Sequence, residues 1–281
     1  MIRVGVIGIG MMGNVHLDVY AQQPDVQVVA LADHLPERRS GQARTALNIQ
    51  DTAQGFTGHA QARQYAQGLE LIADPALDLI DICVPTPQHI DLAIAALKAG
   101  KHVLLEKPLA RQAADAQRLI DAARTAPGLI MVAMCMRFWP GWSWLKQTID
   151  AGTYGRVLAA QFRRVSSFPG GWYADAQNSG GAALDLHVHD TDFIHWCFGL
   201  PQAVRSVGYS RDTKGIDHIS TQYDTELEEI RTRMLQMGGL VEQQFRQAVR
   251  AYAEGVTSFG RRPNNRTVQD NVSGWLRAYN T

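Results

Sequence analysis

Six residues near the start of the chain, Gly8-Ile9-Gly10-Met11-Met12-Gly13, have the spacing GxGxxG. They follow an apolar run of strand character and open a segment of helical character. In that setting each glycine has a task. Gly8 allows a tight turn, Gly10 lets the backbone approach a pyrophosphate, and Gly13 permits close packing of helix on strand. Free N–H groups and the positive helix end then attract a diphosphate. Asp33 ends the next apolar run about 20 residues on, where a carboxylate accepts hydrogen bonds from adenosine ribose hydroxyls. A carboxylate about 4 Å from a 2′-phosphate costs a few kcal/mol at an effective dielectric near 20, so Asp33 favours NAD over NADP. Arg38, nearby in sequence, blunts that preference.

Two further groups fall at strand carboxyl ends, where open α/β sheets bind ligands: Val84-Pro85-Thr86-Pro87-Gln88-His89 and Glu106-Lys107-Pro108. A third lies further on, in Gly180-Gly181-Ala182-Ala183-Leu184-Asp185-Leu186-His187-Val188-His189-Asp190-Thr191-Asp192. On a helix, Asp185 and His189 are four apart and share one face. A neutral His189 accepts a proton near neutral pH. Read instead as a strand, Asp185 to His189 resembles the DxHxH metal-binding strand of amidohydrolase-type barrels. That strand lies near the start of a (β/α)₈ barrel, whereas here a dinucleotide fingerprint comes first and no further His/Asp ladder follows. No metal is therefore expected.

The elements that position these residues follow from hydrophobic patterning. Residues 2–7, 26–32, 79–84, 102–105 and 129–135 are nearly continuous apolar runs, as buried parallel strands are. Residues 11–22, 36–46, 89–99 and 112–125 have helical character, and Pro24, Gly100, Pro127 and Gly128 stand in the loops. This alternation predicts a doubly wound α/β sheet. Residues 50–68 are polar, and a third strand is not placed among them. Beyond Cys135 the pattern predicts a helix over 144–150, a strand over 156–166, a helix over 183–197 and a strand over 203–209. From 216 onward, Leu227, Ile230, Met234, Met237, Val241 and Phe245 recur at helical spacing, with Thr225 and Glu228 as a capping box.

GxGxxG, then Glu106-Lys107-Pro108, then Asp185 with His189 four positions later, resembles the Gfo/Idh/MocA family of glucose–fructose oxidoreductases and inositol dehydrogenases over residues 1–215. The resemblance implies an NAD(P)-dependent oxidoreductase acting on a secondary alcohol of a polyol, inositol or sugar derivative. It implies a Rossmann domain over 1–125 and an α+β substrate domain over 126–215. Lys107, Asp185 and His189 become the expected catalytic group, with His189 as acid/base. Lys107 stabilises developing alkoxide, and Asp185 orients His189 or binds a substrate hydroxyl. Expected cofactor contacts are the loop residues Gly8, Gly10, Met11, Met12 and Gly13 together with Asp33. Pro85, Thr86, His89, Glu106, Lys107 and Arg137 complete them, with Arg137 reaching either the cofactor or an acidic substrate. Trp172 is an expected substrate contact. Trp139, Trp142, Trp172 and Tyr173 stack on a sugar ring or pack as core or lid, and His187 is a neighbour or substrate contact rather than the base.

The run over 216–250 resembles the first helix of PhoU-type phosphate-transport regulators. The expected fold is therefore α/β, with a doubly wound Rossmann sheet, a truncated α+β domain and a helical tail over 216–281. That truncation leaves two rival readings: a non-catalytic dinucleotide-binding remnant or sensor, and a tail that docks a helical partner. A homo-oligomer through the substrate sheet would be weakened by the missing strands.

Composition narrows the classes. The 281 residues are 46% hydrophobic and 19% charged with zero formal net charge, which supplies no attraction for nucleic acid or an anionic membrane. No apolar run approaches the roughly 20 residues that span a bilayer. No signal-peptide pattern precedes the first strand, and Cys83, Cys135 and Cys197 read as reduced core cysteines of a cytoplasmic protein.

Overall fold

The apolar runs of the first half become the strands of one parallel sheet. In the computed structural model of the protein, residues 1–42, 59, 61–164, 171–210 and 218–224 are described. β1 (Ile2–Ile7), β2 (Val26–Ala32), β3 (Arg63–Tyr65), β4 (Leu79–Ile82), β5 (His102–Leu105) and β6 (Ile130–Val132) lie in the order β3-β2-β1-β4-β5-β6, every pair parallel. The connections carry α1 (Met11–Ala21), α2 (Pro36–Arg39), α3 (Gly68–Ile72), α4 (His89–Lys98) and α5 (Ala113–Thr125). Strand order reverses between β1 and β4, so a crevice opens at their carboxyl ends, where such sheets take ligands.

Side chains alternate along each strand, so one strand serves two cores. Val4 and Val6 of β1 pack with Ile9, Leu17 and Leu31 in one cluster. Ile7 joins Ala30, Ile80, Ile82, Leu97 and Leu105 in the other. Each fully buried branched side chain contributes about 1.5–3 kcal/mol against exposure. The unplaced third strand is β3, three residues at the sheet edge, two of them exposed. A half-wet edge strand carries no continuous apolar signal.

After β6, a 3₁₀ turn (Cys135–Phe138) leads to α6 (Pro140–Asp150). Trp142 packs edge-on to Phe193 at 4.6 Å, and Phe193 meets Trp196 at 5.7 Å. Trp142 is thus half-buried against this aromatic group. The strand expected over 156–166 does not form over 156–164: no ladder pairs it among the described residues. The single helix expected over 183–197 is two, α8 (Gly181–Asp185) and α9 (His187–Phe198), parted at Leu186 after the short α7 (Ala176–Ser179).

β7 (Ala203–Tyr209) then pairs antiparallel with β8 (His218–Asp224). Residues 218–224 are therefore sheet, not the start of a helical tail. Ile219 faces Gly208, and Thr221 faces Ser206 and accepts its hydroxyl hydrogen bond at 2.9 Å. Strand formation here follows from the partner strand more than from local sequence. Residues 1–225 form one compact unit, and the expected helix beyond Thr225 lies outside the described residues. No helix among the described residues is long and apolar enough to cross a membrane. Of the three free cysteines, Cys135 is exposed rather than core.

Candidate active site

The loop between β1 and α1 is built on glycines for two different reasons. Gly8 has φ of +92°, and a Cβ there would lie 2.8 Å from the Cys83 carbonyl. A Cβ on Gly13 would stand 2.0 Å from the Gly8 carbonyl oxygen, so the helix sits directly on the turn. Gly10 is different: a Cβ there meets nothing closer than Arg38 Nη1 at 3.9 Å. Its missing side chain leaves space on the cleft side rather than relieving a clash.

Asp33, at the end of β2, is buried and braces this loop. Its Oδ2 accepts the Ile9 N–H at 2.8 Å and its Oδ1 the Leu35 N–H at 2.9 Å. Arg38 Nη1 lies 3.6 Å from Oδ2. Gly8, Gly10, Met11, Met12, Asp33 and Arg38 line one part of a cleft of about 790 Å³. Pro85, Thr86, Glu106, Lys107, Tyr173 and Asp185 line another. The volume falls within the range of roughly 300–1,000 Å³ usual for small-molecule sites.

Lys107 and Asp185, 78 residues apart, meet in that wall. Lys107 Nζ donates to Asp185 Oδ1 and to the Asp185 carbonyl, each at 2.9 Å. Glu106 Oε2 accepts the Lys107 N–H at 3.0 Å, and the Lys107–Pro108 peptide is cis. His189 stands in the first turns of α9, where burial and the charges of Lys107 and Arg164 push its pKa down to about 4. Its imidazole is therefore neutral at pH 7, and its Nδ1 is buried without a hydrogen-bond partner among the described residues. Arg164 is fixed by Asp190, donating to Oδ2 at 3.0 Å and Oδ1 at 2.9 Å. The Tyr173 hydroxyl is pushed up to about 12 by burial and the charges of Asp185 and Glu106, so it remains a donor.

Two expected contacts, His89 and Arg137, are engaged elsewhere, and a third, Trp172, cannot be placed among the described side chains. His89 is almost fully buried, with Nδ1 2.9 Å from the Pro108 carbonyl and Nε2 2.9 Å from that of Val84. Both ring nitrogens are thus committed to backbone, and His89 ties the end of β4 to the loop after β5 rather than facing the cleft. Arg137 is held by Asp192, at 2.8 Å from Nε and 2.5 Å from Nη2, and its guanidinium lies over the Trp196 ring. It is paired within the protein instead of reaching toward the cleft. Trp172 lies in the 3₁₀ turn Gly171–Ala174, its side chain outside the described residues. Sequence reasoning also missed groups: Arg164 with Asp190, and a buried cluster of His16, Tyr20, Asp81 and Cys83. Among these, His16 Nε2 lies 3.2 Å from Glu106 Oε1.

Comparison with known proteins agrees with this geometry. Residues 2–134 match the family model described as "Oxidoreductase family, NAD-binding Rossmann fold", and residues 142–280 match "GFO/IDH/MocA C-terminal domain". The second match runs through 216–250, so the resemblance of that stretch to PhoU-type regulators is not supported. Myo-inositol 2-dehydrogenase of Thermotoga maritima is 31% identical over 199 residues, which is 70% of this chain and 55% of that protein. Levoglucosan dehydrogenase of Pseudarthrobacter phenanthrenivorans is 30% identical over 213 residues, 73% of this chain and 53% of that one. The chain thus spans about half the length of these curated relatives. Among solved structures, a putative myo-inositol dehydrogenase from Sinorhizobium meliloti superposes with a TM-score of 0.66 at 25% identity, over 80% of this chain and 66% of that one. A levoglucosan dehydrogenase in complex with NADH gives a TM-score of 0.66 at 26% identity, over 78% and 62%. On both family models and the shared fold, this chain belongs to the GFO/IDH/MocA oxidoreductase family.

Proposed function

We propose that the chain binds NAD in the cleft described above and oxidises a secondary alcohol of a polyol, inositol or sugar derivative. The observation that carries this reading is a Lys107 ammonium bonded to the Asp185 carboxylate in the cleft wall, with an uncharged His189 near enough for the Lys107 charge to act on it. The fit to a dinucleotide rests on the space left at Gly10 and on Asp33 and Arg38 in the same cleft. Gly8, Gly10, Met11 and Met12 would cradle the pyrophosphate, Gly13 would let α1 sit close on that turn, and Asp33 would receive the ribose hydroxyls. The Asp33 charge favours NAD over NADP, with Arg38 as partial compensation 3.6 Å away.

NAD, when bound, supplies the hydride acceptor. The rest falls to the protein. Lys107 offers its ammonium to the substrate oxygen and stabilises the alkoxide that develops. His189 accepts the hydroxyl proton as the carbonyl forms. The cations that depress the basicity of His189 also acidify the alcohol, so donor and acceptor shift together. Asp185 fixes Lys107 and presents its second carboxylate oxygen to a neighbouring hydroxyl, which suits a polyol. Tyr173 keeps its proton and donates at the same wall.

Curated relatives named inositol 2-dehydrogenase and levoglucosan dehydrogenase support this substrate class. Three free cysteines suit a reducing, cytoplasmic setting. The test is a panel of inositols, polyols and anhydrosugars with NAD⁺ and the full chain, following NADH. Substrate-dependent NADH formation is expected. Binding of NADH with no turnover on any member would favour a non-catalytic dinucleotide-binding protein.

A further inference from the structure

Beneath Glu106 lies a buried chain of polar groups that the proposed reaction does not use. Tyr20 and His16, both on α1, reach across to β4. The Tyr20 hydroxyl donates to Asp81 Oδ2 at 2.9 Å, and His16 Nδ1 lies 2.8 Å from the same oxygen. On its other side, His16 Nε2 lies 3.2 Å from Glu106 Oε1. Cys83 Sγ is 3.4 Å from His16 Nδ1 and 3.5 Å from Asp81 Oδ1. Asp81 is fully buried and Glu106 nearly so. With these bonds made, the cluster is satisfied within itself.

Two carboxylates flank one imidazole, and burial makes an unpaired charge expensive. An imidazole that bonds a carboxylate through each nitrogen donates two protons, so the ring is cationic. Burial opposes that charge, but the bonds to Asp81 and Glu106 outweigh it and hold His16 well above the ordinary histidine range. Burial alone would raise the Glu106 carboxyl, and the His16 bond and charge bring it below the usual value. The cluster therefore presents one net negative charge, and Glu106 is the member that lines the cleft beside Lys107.

We propose that His16 is a positioning residue that holds Glu106 as a fixed carboxylate at the cleft and so biases the cleft toward the oxidised, cationic dinucleotide over the reduced one. This rests on the cofactor reading above. A negative charge at the wall attracts a ring that is positive before hydride transfer and neutral after it. Glu106 feels Cys83, His89, Lys107, Cys135, Tyr173 and His189 besides His16, while Asp81 and Tyr20 face His16 from the other side. Burial shifts His89 and His189 down, and Cys83, Cys135 and Tyr173 up. A pH dependence introduced by removing His16 would thus belong to the Glu106 carboxylate it holds.

The test is the ratio of Kd for NAD⁺ to Kd for NADH, from about pH 5.5 to about pH 8, for the full chain and two variants. His16→Gln keeps a hydrogen-bond donor but not the charge. Its ratio should rise as pH falls, by about tenfold, the effect of one unit charge across roughly 10 Å at an effective dielectric near 20. The unsubstituted protein should show no such rise. Glu106→Gln should raise the ratio at every pH and leave it flat, and it serves alone if His16→Gln does not fold. A His16→Gln ratio that tracks the parent at every pH overturns the proposal, as does an unchanged ratio in Glu106→Gln. Failure of the parent to bind either nucleotide would overturn the proposed function, and this inference with it.

Discussion

Alanine at Gly10 and alanine at Gly13 should separate dinucleotide binding from stability. At Gly13 the new methyl would sit 2.0 Å from the Gly8 carbonyl oxygen and 3.0 Å from its carbon. Neither atom is the end of a flexible side chain, so α1 must lift from the turn by more than about 1 Å to restore ordinary contact distances. Overpacking of this kind costs about 1–3 kcal/mol or more, while the better helix propensity of alanine returns at most about 1 kcal/mol. A net loss of about 2 kcal/mol lowers Tm by roughly 4–8 °C in a protein of this size. At Gly10 the methyl meets no protein atom within 3.9 Å, and φ of −82° suits alanine. Loss of glycine at this N-cap costs less than about 1 kcal/mol. The methyl does occupy the space a pyrophosphate needs, so NADH affinity should fall by at least about tenfold, or 1.4 kcal/mol. Thermal melts and NADH titrations of the two variants provide the assay. A Gly10→Ala protein that melts normally and binds NADH as before would refute the reading of that space. A Gly13→Ala protein with unchanged Tm would refute the close packing.

Two further outcomes follow from His189. His189→Asn should lower turnover by about 10²–10⁴-fold, the usual range for a positioned acid/base, with NADH affinity little changed; steady-state rates with the best substrate measure it. The depressed pKa of His189, about 4 against an ordinary 6.5, also links stability to pH. Below pH 6.5 the unfolded chain takes up a proton that the folded one refuses, so this contribution is complete above pH 6.5 and is lost down to about pH 4. The ceiling is about 3 kcal/mol, reduced to about 1–2 kcal/mol because the ring is only half-buried. Tm measured across that window should fall less steeply for His189→Asn than for the parent, and parallel curves would contradict the assignment.

Much of the first half of the fold was legible because both faces of the parallel sheet are covered, which makes its strands read as unbroken apolar runs. β3 was not, since an edge strand of three residues has little to bury. Nothing in the sequence marks Leu186 as a break, because leucine is a good helix former. Asp185 and His189 therefore end up on different helices, although both remain near Lys107. β8 was missed because its alternation spans a single short strand that pairs only with β7, a separate run of the sequence, among the described residues.

Among expected site residues, motif position singled out Lys107, Asp185, Gly8, Gly10, Met11 and Met12, which line one cleft. It gave no sign that Arg137 pairs with Asp192, 55 residues away. It passed over His16, whose partners Asp81 and Glu106 are 65 and 90 residues away. A lone histidine on a helix gives no sign of two buried carboxylates waiting for it. Only the sheet order, which sets β1, β4 and β5 side by side, brings them together.

The central claim is that this cleft is an NAD site, and the most direct measurement is titration of the full chain with NADH and, separately, NADPH. Tryptophan fluorescence and thermal shift provide two independent readouts. Saturable binding of both, with NADH the tighter because of Asp33, is the predicted result. No binding of either nucleotide, by a protein that still melts cooperatively, would contradict the account.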